Sequence, residues 1–193
     1  IELGTKWDLF NDKLLLSAAI FQITKDDVME GADYETTGTL NTGKNRVEGV
    51  EVGLSGNITD RLSTQFGASV MDAEVLRSDD PDNEGKTLAN FADKSLYMLL
   101  RYQATSAFAF GAAATYSSEV FVGQPDSGAS DFGVPSYTVY DLFATYQFTK
   151  DLSVRVNVNN VTDEDYYLTA YRSGAFAYIG DARNAHATVS YSF

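Results

Sequence analysis

The acidic stretch DDPDNEG has the residue types and spacing of a possible metal-binding loop. Asp80, Asp82 and Glu84 stand at the first, third and fifth positions of a calcium loop, and Gly85 stands at the sixth, where such loops turn sharply. The twelfth position holds Phe91 instead of a glutamate, and the sequence predicts no helix on either side. We therefore interpret the stretch as a solvated acidic loop and keep calcium binding as the alternative.

The sequence contains no catalytic constellation. His186 is the single histidine, cysteine is absent, and no serine stands in the strand-to-helix turn that a nucleophilic serine requires. His186 lies on the polar side of an alternating segment, and we interpret it as a solvated or hydrogen-bonded side chain. Pairs of Asp and Glu do not indicate a glycosidase in so acidic a chain. We predict no enzymatic activity, no resident cofactor and no metal centre.

Stretches of alternating apolar and polar residues run along the whole chain, as in LSVRVNVNN and in the terminal HATVSYSF. A period of two predicts β-strands with one apolar and one polar face. We predict nine such strands, at residues 1–10, 13–25, 45–58, 61–75, 94–104, 106–118, 136–149, 151–163 and 183–193. The third changes phase between Val47 and Val50, which predicts a β-bulge near Gly49, and the second is apolar on both faces.

The connections between these strands alternate strictly between short and long. FNDK, NITDR, QATSA and FTKD have the length of tight hairpin turns, whereas the connections at 26–44, 76–93, 119–135 and 164–182 are long. In an antiparallel sheet this alternation sends every long loop to the same end. Most of the 27 acidic residues lie in or beside those loops. Short turns at one end and long loops at the other are typical of outer-membrane β-barrels.

Composition narrows the class of protein further. The 193 residues are 13% aromatic and include only 3 prolines, which favours strands over helices. The net charge of −13 argues against nucleic-acid binding, because no basic stripe could neutralise phosphates. No apolar run reaches the roughly 18 residues that a membrane-spanning helix needs. Because no targeting signal follows Ile1, we expect any such signal to have been removed or to belong to another segment.

The predicted fold is all-β, an antiparallel transmembrane β-barrel segment whose apolar faces meet lipid. Charged residues within the strands fall mainly on the polar face, which would line a wet lumen, as with Glu51, Arg101, Asp141 and Arg155. A soluble β-sandwich that buries its apolar faces between two sheets is the alternative. A sandwich, however, gives no reason for the sorting of short and long connections.

The predicted number of strands is odd, whereas bacterial barrels made from one chain have an even number. Nine strands leave one sheet edge without a partner, and unpaired backbone is not tolerated in hydrocarbon. We therefore expect residues 1–193 to be the C-terminal portion of a longer barrel. A self-contained small barrel, acting as an adhesin or a structural anchor, is the alternative and requires one strand fewer.

Several segments occur in an order and spacing that resemble a known family: IELGTKW, NRVEGVEVGLSGNIT, GKTLANFADKS, PSYTVYDLFATYQF, LSVRVNVNNVTDEDYY and the terminal YSF. Together they resemble the C-terminal barrel of TonB-dependent outer-membrane receptors, above all those for ferric siderophores. The resemblance covers essentially the whole chain. Its most specific part is NVNNVTDEDYY followed by a loop and a short strand that ends on an aromatic residue.

The resemblance implies a 22-stranded barrel of which this chain forms the last nine strands. A plug domain and an energy-coupling segment would lie upstream. The resemblance also implies uptake of an iron(III)–siderophore across the outer membrane of a Gram-negative bacterium, powered through a TonB-type partner. In this class of barrel a terminal aromatic residue, here Phe193, is recognised by the barrel-assembly machinery.

A ferric siderophore presents flat rings and often negative charge, which aromatic faces and basic side chains at the loop mouths would hold. The resemblance places the contact region in the loops and lumen without identifying single contacts. Our candidates are aromatic and basic residues of the four long loops: Tyr34, Arg77, Phe91, Phe121, Phe132, Tyr167, Tyr171, Arg172 and Tyr178. For each of them, loop packing or membrane anchoring is the alternative role.

Overall fold

The computed structural model describes residues 1–30, 40–124, 127–171, 174 and 176–193. Numbered in chain order, the strands are β1 (Glu2–Leu9), β2 (Leu14–Glu30), β3 (Leu40–Asn57), β4 (Leu62–Arg77), β5 (Lys94–Gln103), β6 (Phe108–Ser117), β7 (Val120–Phe121), β8 (Gly133–Val134), β9 (Tyr137–Gln147), β10 (Leu152–Asn159), β11 (Tyr167–Tyr171), β12 (Phe176–Ile179) and β13 (Asn184–Tyr191). A short 3-10 turn spans Pro81–Asn83. Among the described residues, no helix is long and apolar enough to cross a membrane.

Nine of these strands form one antiparallel sheet in the order β1-β2-β3-β4-β5-β6-β9-β10-β13. The predicted all-β class and the nine predicted strands are therefore confirmed. Two small hairpins, β7-β8 and β11-β12, were not predicted, because strands of two to five residues are too short to show a period. Strands β1 and β13 are the two edges of the large sheet.

The register places the alternating apolar residues of neighbouring strands side by side on one face of the sheet. One row across five strands consists of Leu100, Ala112, Leu142, Val158 and Ala185. Opposed residues of an antiparallel pair point to the same side, so this face is continuously apolar. The predicted strand charges lie on the opposite, polar face: Glu51, Arg101, Asp141 and Arg155.

The apolar face has no second sheet of comparable size against it in the described part of the chain. The other two sheets have only two strands each, and large side chains such as Ile20, Leu142 and Val189 are half or more exposed. The sandwich alternative is therefore wrong, because a sandwich buries these faces between two sheets. The buried apolar clusters lie instead near the ends of the strands, beneath the long loops.

The bulge predicted near Gly49 is wrong. Strand β3 keeps an unbroken register with both neighbours at Gly49, and the register shifts instead between Lys25 and Val28 and between Lys44 and Asn45. The apolar phase changes at Val47 because this side chain lies on the polar face, where it packs against a buried cluster. The cluster consists of Ala73, Val75 and Leu88.

The long connections all leave the sheet at one end, as predicted. We name them loop 1 (31–39), loop 2 (78–93), loop 3 (118–136, with β7-β8) and loop 4 (160–183, with β11-β12). Strands β2 and β3 continue farther than predicted, to Glu30 and from Leu40, so the first loop is shorter than 26–44. The extensions were not predicted because their sequence is polar and lacks the apolar alternation, although β2 and β3 remain paired there.

The short connections are four turns of equal length at the opposite end, 10–13, 58–61, 104–107 and 148–151. In three of them a threonine hydroxyl, from Thr59, Thr105 or Thr149, accepts hydrogen bonds from two following backbone N–H groups at 3.0–3.3 Å. Lys13 Nζ donates to Asp60 Oδ1 at 2.7 Å and thereby joins the first two turns. This hydrogen bond and the lysine charge lower the pKa of Asp60.

Candidate functional site

Loops 2 and 3 are joined through their backbones. The Ala89 N–H donates to the Ser127 carbonyl at 3.0 Å, and the Ala129 N–H donates to the Thr87 carbonyl at 2.8 Å. The Asn90 N–H donates to the Phe121 carbonyl at 2.7 Å. These backbone hydrogen bonds join loops 2 and 3 into one layer.

Loop 4 packs against this layer. Val120, Val122 and Val134 of loop 3 form a buried cluster with Ala170 of β11, and Ala92 of loop 2 packs against it. At the edge of the cluster, the Thr169 hydroxyl donates to Asn90 Oδ1 at 2.7 Å, across 79 residues of sequence. Loops 2, 3 and 4 therefore form a single assembly, which we call the loop cap.

Replacing Thr169 with valine should loosen the loop cap, because Asn90 Oδ1 would lose its donor while the side-chain volume is kept. A hydrogen bond of this kind contributes about 0.5–1.5 kcal/mol. Amide hydrogen exchange of Tyr167–Tyr171 in the full-length receptor should accelerate about twofold to tenfold. Thr169→Ser keeps the hydroxyl and serves as the control. Equal exchange rates in the two variants would show that this bond does not hold loop 4.

Asn160 fixes the base of loop 4. Its side chain is 1% exposed, and its backbone φ of 49° is in the left-handed region, where asparagine is favoured. Its Nδ2 donates to the carbonyls of Glu164 and Asp181 at 2.9 and 3.0 Å, and its Oδ1 accepts from the Glu164 N–H at 2.9 Å. The Asn160 N–H donates to Asp141 Oδ1 on β9 at 2.8 Å. The Asn160 side chain thus joins the two ends of the loop, and its backbone N–H ties them to the sheet.

An aromatic contact beside Asn160 completes this anchor. The Tyr166 ring lies 4.6 Å from the Tyr137 ring and occupies the space above Gly180, where an added Cβ would collide with it. Burial raises the pKa of Tyr166 above its usual value, and the Asp181 backbone opposes this shift by hydrogen bonding to the phenol. The anchoring roles of Asn160, Tyr166 and Gly180 were not predicted, although Asn160 and Tyr166 lie in the motif NVNNVTDEDYY that carries the family resemblance.

The loop candidates divide into packed and exposed side chains. Arg77 Nε donates to the Thr42 carbonyl at 2.7 Å, and Phe91 packs against the buried cluster of Ala73, Val75 and Leu88. Phe121 belongs to β7 inside the loop cap and is half-buried. Phe132, Tyr167 and Tyr178 are 71%, 41% and 58% exposed on loops 3 and 4.

The side chains of the other three candidates are not described. Tyr34 and Arg172 lie outside the described residues. Tyr171 ends β11, but only its backbone is described. Among the candidates whose side chains are described, Phe132, Tyr167 and Tyr178 are the exposed aromatic residues of the loop cap.

The acidic stretch forms a local turn. Asp80 Oδ1 accepts from the Asp82 N–H at 3.1 Å, Asp80 Oδ2 accepts from Asn83 Nδ2 at 3.3 Å, and Glu84 Oε1 accepts from the Ser78 N–H at 3.2 Å. Among the described residues, no group of three or more His, Asp or Glu side chains could hold a metal ion. The side chains of Asp80, Asp82 and Glu84 thus do not converge as the calcium interpretation requires.

A cavity of about 570 Å³ lies on the polar face below the loop cap. Its lining is rich in hydroxyl groups, from Ser17, Ser69, Ser95, Thr115 and Tyr97, and includes the carboxylate of Glu51. Ser69 and Ser95 Oγ atoms are hydrogen-bonded at 2.7 Å. This wall can exchange hydrogen bonds with water or with a polar ligand, while the exposed aromatic residues of the loop cap can stack on flat rings.

A family model described as TonB dependent receptor-like, beta-barrel, matches residues 1–161 of the 193. This chain belongs to the TonB-dependent receptor family. The resemblance carried by the sequence motifs is thereby confirmed, and the nine-stranded antiparallel sheet agrees with the β-barrel fold of this family.

Relatives with solved structures agree with this assignment. The probable TonB-dependent siderophore receptor PiuA of Acinetobacter baumannii is 30% identical over 202 residues, which cover 100% of this chain and 26% of PiuA. The crystal structure of PiuA superposes with a TM-score of 0.85 at 28% identity, over 98% of this chain and 28% of that one.

Two further receptors superpose similarly. The ferric-catecholate import receptor Fiu of Escherichia coli K12, in its closed form, gives a TM-score of 0.80 at 28% identity, over 97% of this chain and 26% of Fiu. The ferripyoverdine receptor of Pseudomonas aeruginosa, bound to ferripyoverdine, gives 0.80 at 25% identity, over 100% of this chain and 26% of that receptor. This TonB-dependent receptor chain thus spans about a quarter of the length of the relatives it matches.

Proposed function

We propose that this chain forms part of the barrel wall of an outer-membrane receptor that takes up a ferric siderophore in a TonB-dependent manner. The observation that carries the proposal is the similarity, along the whole chain, to receptors named for siderophores. The loop cap on one end of the sheet agrees with it, because such receptors meet their ligand at the outer surface. The proposal assigns no chemical reaction to the protein.

In this proposal the apolar face meets the lipid of a Gram-negative outer membrane and the polar face lines a wet lumen. Strands β1 and β13 do not pair with each other in the described sheet, so a closed barrel requires further strands on both edges. These strands, a plug domain and the segment that contacts the TonB-type partner would come from the rest of the receptor. The self-contained small barrel would instead need β1 to pair with β13.

Phe193 follows β13 and is fully exposed, which suits a signal for the barrel-assembly machinery. Recognition of this terminal aromatic residue is part of the proposal.

We assign first contact with the ligand to the exposed aromatic residues of the loop cap, Phe132, Tyr167 and Tyr178. Their faces can stack on the rings of a catecholate, and Tyr167 and Tyr178 can also donate hydrogen bonds. Tyr34, Tyr171 and Arg172 remain candidates on the same loops. We assign packing roles to Arg77 and Phe91, because Arg77 donates to a backbone carbonyl and Phe91 packs against a buried apolar cluster.

The test is uptake of radioactive iron by the full-length receptor in a bacterium without other siderophore receptors. Catecholate, hydroxamate and mixed-chelate ferric complexes are supplied in turn, with and without the TonB-type partner. We expect uptake of at least one chelate that requires the partner, and Phe132→Ala with Tyr178→Ala should reduce the affinity for it about tenfold or more. Tyr146→Ala, an exposed aromatic residue on the apolar face, is the matched control. Absence of uptake and of surface binding for every chelate would refute the proposed function.

A further inference from the structure

On the polar face, the Phe143 ring occupies the space above Gly111 and lies between the strands of two arginines. Arg101 on β5 is opposed to Gly111 on β6, and Gly111 is opposed to Phe143 on β9. A Cβ added to Gly111 would collide with the Phe143 ring, so the ring leans over β6 towards the strand of Arg101. The Arg155 guanidinium on β10 lies 4.8 Å from the centre of the same ring.

Both guanidinium groups are held by neutral partners. Arg101 donates to Gln103 Oε1 at 2.6 Å, and Arg155 Nε donates to Asn157 Oδ1 at 3.0 Å. Asn157 is in turn hydrogen-bonded to His186 Nε2 at 3.1 Å. In the described part of the chain, neither arginine forms an ion pair, in contrast to Arg46 and Arg183, which contact carboxylates. Positive charge that is oriented but not neutralised is what an anion site requires.

Arg101 and Arg155 lie towards the opposite end of the sheet from the loop cap. Arg101 lies two residues before the end of β5, and Arg155 lies near the start of β10, so both are close to the short turns. Among the acidic residues of the polar face, Glu51 and Asp141 lie nearer the loops than these arginines do, whereas Asp8 on β1 lies beside a short turn, four strands away from β5. In the described part of the chain, an anion that entered past the loops would therefore meet two positive charges without a carboxylate partner on this wall, near the short turns.

We propose that Arg101, Phe143 and Arg155 form a second ligand site, on the lumenal wall near the short turns, for an aromatic oxyanion such as a catecholate. The ring of the ligand stacks beside Phe143, while the two guanidinium forks donate to its oxygens. The inference rests on the proposed function and adds a second binding site, which a ligand reaches after it has left the loop cap. A carboxylate of a lumen-filling segment has the same chemistry and is the competing source of the anion.

Arginine-specific labelling with phenylglyoxal separates the two sources in the purified full-length receptor. With 2,3-dihydroxybenzoate as the probe, labelling of Arg101 and Arg155 should slow at least threefold, whereas neutral benzamide should have no effect. Mass spectrometry reads each arginine separately, and Arg61 in a short turn is the internal control. If both arginines resist labelling without any probe, a carboxylate of the polypeptide occupies them and the proposal is wrong. Free labelling that the probe does not slow would also overturn it.

A transport measurement adds a second readout. The Arg101→Gln plus Arg155→Gln double variant should bind a triply anionic ferric tris-catecholate at the cell surface as wild type does, but transport it at least fivefold more slowly. The double lysine variant should recover part of the rate, and Ser153→Gln, a neutral neighbour on the same face of β10, should change neither quantity. Unchanged transport in the glutamine variant refutes the second site and leaves the receptor function standing. Failure of the wild type to bind any ferric chelate would refute that function instead.

Discussion

Replacing Ala68 with arginine should destabilise the receptor by about 2–4 kcal/mol, because a charge near the middle of the face that we propose meets lipid must lose its hydration. Ala68 lies on β4 between Val52 and Leu96 of the neighbouring strands, in the apolar part of the sheet. The next residue, Ser69, points to the polar face between Glu51 and Ser95. Ser69→Arg puts the same side chain into water beside a carboxylate and should cost less than about 1 kcal/mol.

The two variants form a matched pair that differs only in the face of the sheet. The measurements are the urea midpoint of the full-length receptor refolded in phospholipid vesicles and the fraction of receptor that reaches a heat-modifiable form in the outer membrane. We expect a lower midpoint and poor assembly for Ala68→Arg alone. A larger loss for Ser69→Arg would show that the two faces have been assigned the wrong way round.

Replacing Asn160 with aspartate should detach the base of loop 4 while the barrel stays folded. The change keeps the shape and the tolerance for a positive φ, but the two carbonyls that accepted from Nδ2 would face an oxygen instead. Loss of two buried hydrogen bonds and burial of a charge should cost about 2–4 kcal/mol locally.

Hydrogen exchange of residues 160–171 and limited proteolysis of loop 4 measure this loss. Acid should partly restore the loop in the N160D variant, because burial raises the pKa of the new carboxyl and its protonated form can donate one hydrogen bond. Asn159→Asp is the control, since the adjacent Asn159 makes a solvent-accessible bond to Asn184 and should change exchange little. If both variants protect loop 4 equally, Asn160 is not its anchor.

The strands and their faces could be read from the sequence because period-two alternation is a local property. Val154, Val156 and Val158 alternate with polar residues, and the structure places all three on the apolar face. The prediction failed at Val47, which belongs to the polar face and packs beneath a loop. Alternation alone could not distinguish a change of environment along one strand from a β-bulge.

The packing of the loops was predicted less well than the sheet, because loops pack through contacts between distant residues. The loop cap depends on Thr169 and Asn90, which are 79 residues apart, and on a ladder between loops 2 and 3. Nothing in the local sequence indicates that Arg77 would bind a carbonyl or that Phe91 would pack inward. Residue type alone marked both as ligand candidates, and the structure shows the packing contacts that each of them makes.

The sequence by itself determined that the chain folds into nine antiparallel strands with sorted connections, and its motifs indicated the receptor family. These properties follow from alternation and from the order of short segments, which need no knowledge of what lies across the sheet. Only the tertiary structure decided that three loops form one cap, that Asn160 anchors it, and that Arg155 lies over the Phe143 ring. Each of these depends on register, and register brings together side chains whose separation along the chain carries no signal.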